Sequence, residues 1–515
     1  VQTGSCRVPD VCDDLTRTSI IRDLHVRANP GQIIDMRFDS DIFDTVVRGG
    51  YCIGCGACAV ICDRVSIELT PLGKYQASVR EESHADLGEE LAAVCPFSAL
   101  AEDETTLARQ LFSEPTDVTS GPQAEWHDEI GFHRGTWVGH VAEGDFRARG
   151  SSGGMASWVL RELMDRGEID GVIHVQPCSA SAEAGELLFQ MAISRTPQEL
   201  LQGTHSRYYP VTMAEVLREA RAQPDSRLAL VGVPCFVKAA RLLARQDPVL
   251  ARVLRFHVGL VCGHLKSATY AEYLGWVAGV PPHDLGQVEF RRKANKRPAN
   301  HYLFAATSRS TGAEFTVLST EVPAGDWGLG CFKYKACDFC DDVLAETADV
   351  VIGDAWLPEY VCDSRGTNIV IVRHPALVPL VEQGMATGRL ALKPLSPDRV
   401  AESQRSGLRH RREGLACRLH DAKVRGEWVP PKRVPAAPPG QEPVRAAVYR
   451  LREQLTHESH LAFDRAKQGR DLTIFAEQMA PLVAAHRKLV QAPLHVRIIR
   501  LAKRLLNAAL RAWRR

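Results

Sequence analysis

Four cysteines crowd into eleven residues, Cys52-Ile-Gly-Cys55-Gly-Ala-Cys58-Ala-Val-Ile-Cys62, and no other stretch restricts the fold as strongly. Gaps of two, two and three residues let one tight loop wrap three corners of an inorganic cubane, the C-x2-C-x2-C-x3-C spacing of ferredoxin-type 4Fe-4S ligands. Gly54 and Gly56 suit such a loop, because a residue without a Cβ reaches positive φ and brings backbone N–H groups close to sulfur. The competing reading is a zinc knuckle. Zinc sites usually join a C-x2-C pair to a distant second pair, and four crowded thiols do not follow that layout. In bacterial ferredoxins Pro follows the fourth Cys, yet here Asp63 follows Cys62 and a Cys-Pro pair comes later as Cys95-Pro96. Two ligand sets therefore compete. The favoured one is Cys52, Cys55, Cys58 and Cys95, with Cys62 in reserve or serving a neighbouring cluster.

The surrounding chain is too long, at 515 residues, for one ordinary core, and its 45% apolar and 24% charged residues are those of a soluble globular protein. Fifteen cysteines, odd in number and clustered, argue for metal ligation in a reducing compartment over a disulfide framework. No run reaches eighteen apolar residues, and the start, with Asp10, Asp13, Asp14 and Arg17, lacks the layout of a signal peptide, so a cytoplasmic protein is expected. The net charge of +1 gives no global field that would draw nucleic acid.

In order, residues 1–45 read as a leader with Cys6 and Cys12, and residues 46–110 as a ferredoxin-like 4Fe-4S segment. The segment is expected to hold short strands at Ser66–Thr70 and Gln76–Val79 around the Pro71-Leu-Gly73 turn. From about residue 131 to 419 apolar strands alternate with amphipathic helices, predicting an α/β body (α+β overall). Ser151-Ser-Gly-Gly154 opens a helix over Met155–Met164 and is either an anion-binding turn or a plain helix cap. Arg227–Val233 reads as a strand, Pro234-Cys235 as a turn and Phe236–Leu243 as a helix. Cys235, near a helix N-terminus, is read as a cofactor contact, a reactive nucleophile or a buried spacer. Strand Phe256–Cys262 ends on a thiol, and downstream Cys331, Cys337 and Cys340 form a C-x5-C-x2-C group that lacks a fourth partner. Cys262 is the candidate, for a second 4Fe-4S cluster or a structural zinc. The strand Ala348–Asp354 aims a carboxylate at the same crevice or caps the next turn. The basic run Phe290–Arg297 is a solvated loop or a contact for an anionic substrate or an acidic ferredoxin. Prolines mark a linker over residues 428–445, and residues 446–515 read as a basic helical tail. Its last part, Leu494–Arg515, suits an anionic membrane surface, an acidic partner or simple docking on the body.

Taken together, Cys52-x2-Cys55-Gly-x-Cys58, Ser151-Ser-Gly-Gly154, Gly232-Val-Pro-Cys235, Gly259-Leu-Val-Cys262, Cys337-x2-Cys340-Asp341 and Ala348-Asp-x3-Gly-Asp354 resemble the family of coenzyme F420 hydrogenase/dehydrogenase beta subunits. The resemblance covers about residues 48–415. It implies a flavoprotein oxidoreductase with FAD and one or more 4Fe-4S clusters, passing electrons between a ferredoxin-like carrier and a two-electron acceptor. Coenzyme F420, a deazaflavin, is the namesake acceptor; relatives also include reductases of chlorophyll-type groups and proteins linked to polysaccharide synthesis. It further implies flavin contacts at Ser151, Ser152, Gly153 and Gly154, a second flavin wall at Gly232, Pro234 and Cys235, and cluster ligands at Cys337 and Cys340 with Cys262 and Cys331. Val233 stands where Thr is common in that family.

Overall fold

The computed structural model describes residues 41–80, 88–113, 122–178, 187–440 and 443–491. The leader up to residue 40 and the basic stretch Leu494–Arg515 lie outside the described residues. The described residues belong to one compact unit, a mixed α/β structure ending in a helical pair.

The body is built on eight strands, β1 Gly135–Val141, β2 Gly171–Pro177, β3 Phe189–Ser194, β4 Leu228–Gly232, β5 Leu254–Leu260, β6 Val350–Asp354, β7 Asn368–Val372 and β8 Leu390–Pro394. Their order across the sheet is β8-β1-β7-β6-β5-β4-β2-β3. The four central strands β2, β4, β5 and β6 run parallel, while the outer pairings are antiparallel. Burial explains the sequence pattern. Every residue of β7 is buried, and strands covered on both faces need unbroken Val/Ile/Leu runs in place of alternation. Helix α1 (Met155–Asp165) follows β1, and helix α2 (Pro234–Gln246) follows β4 after one intervening residue. Pro234 sits at the first turn of α2, where its fixed φ and missing N–H cost nothing.

The cysteine-rich segment folds against this body. Its hairpin pairs Val65–Leu69 with Tyr75–Val79, Val65 facing Val79, and a short helix carries Ala57–Ile61. Met213 N–H donates to the Cys55 carbonyl at 2.9 Å, and Ala268 N–H to that of Gly73 at 2.7 Å. A three-stranded antiparallel sheet, Leu285–Arg292, Leu303–Ser308 and Glu314–Leu318, lies beside the helix Ala268–Ala278. The proline-rich run after Gly426 has no regular structure up to residue 440. Helices α3 (Pro443–Gly469) and α4 (Leu472–Val490) then pack on each other and on the body. Among the described residues no helix is long and apolar enough to cross a membrane.

Candidate functional site

The first thiol group forms where the chain turns over Gly54–Gly56. Gly56 has φ +89°, and a Cβ there would meet Thr212 Oγ1 at 2.5 Å and the Ala214 amide nitrogen at 2.6 Å, so only glycine lets the loop lie against the body. The short helix places Cys58, and the helix Gly88–Val94 delivers Cys95. With Cys52 and Cys55 they line a small cavity of about 20 Å³ walled by apolar Ile42, Val46, Ile67 and Phe97. The amides of Gly54 and Ala77 each lie 3.4 Å from Cys52 Sγ. Burial pushes these thiols up, Cys95 to about 12, and the neighbouring thiolates add to the shift at Cys55 and Cys58. Cys62 is half-buried and forms no part of this wall.

The second group gathers past the ends of β4 and β5, whose residues Gly232 and Gly259 are register partners. Cys235, in the first turn of α2, and Cys262, in the loop after β5, each come three residues beyond one of these glycines. Cys262 N–H donates to the Val343 carbonyl at 3.0 Å, which ties it to the loop carrying Cys337 and Cys340. Leu265 N–H lies 3.2 Å from Cys337 Sγ. The Arg411 guanidinium donates to the carbonyls of Cys262 (3.2 Å) and Gly263 (2.7 Å) and stands 3.8 Å from Cys262 Sγ. The sulfurs of Cys340, Cys262, Cys337 and Cys235 beside it favour the charged form of Arg411 against its burial, the more so once they lose their protons. Burial pushes Cys262 to about 12 and Cys337 to about 11, with Arg411 drawing both down. Burial pushes the Cys235 thiol well up, and Cys340, Cys262, Cys337 and then Cys55 of the first group add to the shift. Cys331 stands apart. It is fully buried under the charges of Lys266 and Lys333, and its carbonyl accepts from Lys266 Nζ at 2.5 Å. Among the described residues no three His, Cys, Asp or Glu side chains are close enough to hold a single metal ion. Two sets of four buried or half-buried thiols, one ringed by backbone amides and the other faced by a guanidinium, are a donor set suited to clusters, which need thiolate ligands with nearby donors to offset their negative charge.

A cavity of about 1170 Å³ opens beside the second group, with Gly232, Cys262 and Asp354 from the ends of β4, β5 and β6 in its wall. That is where α/β sheets place ligands, and the volume exceeds the usual range for one small molecule. Ser151, Ser152 and Gly154 belong to the wall. Gly154, at φ +86°, opens α1, and a Cβ there would come 2.7 Å from the Phe146 carbonyl. Ser152 Oγ donates to the Thr367 carbonyl at 3.2 Å, Ser151 Oγ accepts from Ser206 N–H at 2.9 Å, and Lys293 Nζ donates to the Ser152 carbonyl at 2.9 Å. Gly153 is packed against Asn368, whose Oδ1 a Cβ would meet at 2.6 Å. Of the second motif, Gly232 and Val233 reach the wall with Phe236, whereas Pro234 and Cys235 do not line it. Asp354 is gripped by Arg291 at 2.7 and 3.2 Å. Tyr334, also in the wall, accepts from Tyr75 N–H at 2.8 Å and so bridges the cavity to the first thiol group's hairpin.

Several cavity residues escaped the sequence reading. His264 and Lys266 follow Cys262 by two and four residues, a spacing that could have marked them. The His264 ring lies 4.3 Å from that of Trp327, and Lys266 Nζ lies 4.3 and 4.9 Å from the rings of Tyr270 and Trp327. Burial brings the Lys266 ammonium down to about 7 and holds His264 well below its ordinary value. Arg411 had no local signal, since it approaches from 149 positions away.

Comparison with known proteins gives matches to the family description "Coenzyme F420 hydrogenase/dehydrogenase, beta subunit" over two stretches, its N-terminal part at residues 136–218 and its C-terminal part at residues 225–398. The chain is 23% identical to one of the subunits of the F(420)H(2) dehydrogenase of Methanosarcina mazei over 348 residues, covering 64% of this chain and 80% of that one. It is 21% identical to the coenzyme F420-dependent sulfite reductase of Methanocaldococcus jannaschii over 347 residues, covering 64% of this chain and 45% of the relative's length. A chain of the F420-reducing NiFe hydrogenase complex of Methanosarcina barkeri aligns with TM-score 0.45 and 16% identity, over 60% of this chain and 99% of that one.

Proposed function

Because the chain belongs to the family of coenzyme F420 hydrogenase/dehydrogenase beta subunits, which are oxidoreductases, we propose that it is an iron-sulfur flavoprotein that moves electrons between a ferredoxin-like carrier and coenzyme F420 or a related organic acceptor. The observation that carries this reading is contiguity: Cys262 belongs both to the second thiol group and to the wall of the large cavity, and Ile53, next to Cys52, lines both that cavity and the small one of the first thiol group. Cys52, Cys55, Cys58 and Cys95 would hold one 4Fe-4S cluster, and Cys235, Cys262, Cys337 and Cys340 a second. FAD would lie in the cavity on the Ser151–Gly154 turn and the Gly232–Val233 wall. When bound, the clusters supply one-electron transfer and the flavin two-electron chemistry.

The chain's own residues bind, orient and exclude water. Burial keeps the eight thiols protonated until metal displaces the protons, so iron loading releases acid and favours higher pH. Arg411 offsets negative charge beside the second group, and Arg291 fixes the Asp354 carboxylate in the cavity wall. Lys266, poised near neutrality by burial, can hold or release a proton at Nζ inside the cavity.

The test is an oxygen-free preparation of the full chain. About eight irons and eight acid-labile sulfides per chain, one FAD, and loss of deazaflavin absorbance when reduced ferredoxin is supplied are the expected results. Zinc without sulfide would overturn the cluster assignment. Bound flavin that leaves every deazaflavin unreduced would favour a reductase of a tetrapyrrole or a polysaccharide precursor with the same cofactors.

A further inference from the structure

The helical pair α3 and α4 lies beyond the family's matched residues, which end at 398, yet it reaches the cavity. Arg452 of α3 and Arg487 of α4 both line it. Arg487 is exposed and so stands at the mouth. Arg452 lies deeper, its Nη2 3.5 Å from the Trp327 carbonyl, its Nε buried without a hydrogen-bond partner. His264 Nε2 and Ser319 Oγ, also in the wall, are buried and unpartnered too. Leaving several buried donors unmet is costly, and together they ask for acceptors from a ligand.

The charges around them point to what that ligand carries. Trp327 gathers them, with the His264 ring 4.3 Å and Lys266 Nζ 4.9 Å from its ring and Arg452 Nη2 3.5 Å from its carbonyl, and Lys333 is a further buried cation. Lys333 is already neutralised by Asp338 at 2.5 Å. The carboxylate in the wall nearby, Asp326, accepts from the Gly328 N–H at 2.7 Å and keeps its one negative charge, against which stand Lys266, Arg452 and Arg487. An excess of cations behind low-dielectric aromatic walls binds multivalent anions best, and guanidinium forks match phosphate oxygens.

We propose that the C-terminal helical pair completes the cavity as an anion-recognition end, in which Arg452 and Arg487, with Lys266 and His264, take the phosphate groups of a bound ligand. This rests on the reading of the cavity as the cofactor and acceptor site. The phosphates belong either to the flavin dinucleotide or to the acceptor, and one experiment separates the two sources.

The full chain and its variants Arg452→Gln, Arg487→Gln, the double replacement and Arg452→Lys are purified without oxygen. Flavin per chain, unfolding temperature and calorimetric affinity for inorganic pyrophosphate are measured in flavin-loaded and flavin-stripped protein. Pyrophosphate should bind the parent chain, the double variant should bind it at least about ten-fold more weakly, and Arg452→Lys should restore most of the affinity at an unchanged unfolding temperature. Weakening in the flavin-loaded protein with full flavin content assigns the site to the acceptor. Weakening in stripped protein only, with flavin lost on purification, assigns it to the cofactor's diphosphate. Unchanged affinity and unchanged flavin content in the double variant would overturn the proposal, as would a parent chain that binds pyrophosphate in neither form. A parent chain that carries no flavin at all would instead sink the functional reading, while the pyrophosphate titration of that chain still decides the anion site.

Discussion

Single residues decide which sulfurs can serve. Cys62 and Cys331 fit the spacing as well as their rivals do, but one lies off the first cavity wall and the other sits under Lys266 and Lys333. Cys58→Ser and Cys235→Ser should each remove about four of eight irons, whereas Cys62→Ser and Cys331→Ser should leave the iron count unchanged. Iron and sulfide analysis beside the parent protein checks this. Iron loss in Cys331→Ser with retention in Cys235→Ser would reverse the assignment. Arg433 is a second decisive residue. It emerges from the proline-rich run and grips Glu346 at 2.7 and 2.9 Å, Asp341 at 3.2 Å and Thr105 at 3.0 Å. Its removal strands buried carboxylates, so Arg433→Ala should cost about 3–5 kcal/mol in denaturant unfolding, and a loss under about 1 kcal/mol would show the clamp to be idle.

At the scale of elements, the contact between α3 and the Cys331–Lys335 segment stands out. Phe332 takes φ +58°, a strained setting for a residue with a Cβ, and neighbours hold it there. Ser459 Oγ accepts from Phe332 N–H at 2.8 Å, and the Phe475 ring stacks on it at 5.6 Å. His460 joins the same seam: Nδ1–H donates to the Thr456 carbonyl at 2.8 Å, which leaves Nε2 to accept from Ser267 Oγ at 3.0 Å. Burial, with Lys74 and Lys266 adding to it, lowers its value to about 3. The unfolded chain therefore takes the proton first as acid is added. Stability contributed by neutral His460 is complete above about pH 6.5 and is lost between there and pH 3, at about 1.4 kcal/mol per pH unit. His460→Gln should flatten the fall in unfolding free energy between pH 6.5 and 4.5 by about that slope; an identical slope would remove His460 from the seam's energetics.

For the whole molecule, the described residues form one unit in which both thiol groups and the cavity share walls. The helical pair is part of that unit, since Phe463 and Phe475 cover Tyr273, Trp276 and Phe332. A chain ended at Gly440 should bind a hydrophobic dye and unfold at a temperature lower by roughly 5–10 °C, because several large rings lose their cover. An unaltered melting curve would show that the pair contributes no stability.

The sequence by itself determined the local elements and the first cysteine loop. Helix and strand periodicity gave Met155–Asp165 and Leu228–Gly232 nearly to the residue, because burial of one face or of both leaves a repeating mark along the chain. The spacing of Cys52, Cys55 and Cys58 was equally legible, because one loop carries all three. What only the tertiary structure decided is which distant groups meet. The tie between Cys262 and the loop after Cys340, the approach of Arg411 to Cys262 and the arrival of Arg452 in the cavity depend on strand order and helix docking. Contacts across a hundred or more residues leave no periodic trace in one chain, since each partner's local pattern is satisfied equally well whichever neighbour it finally touches.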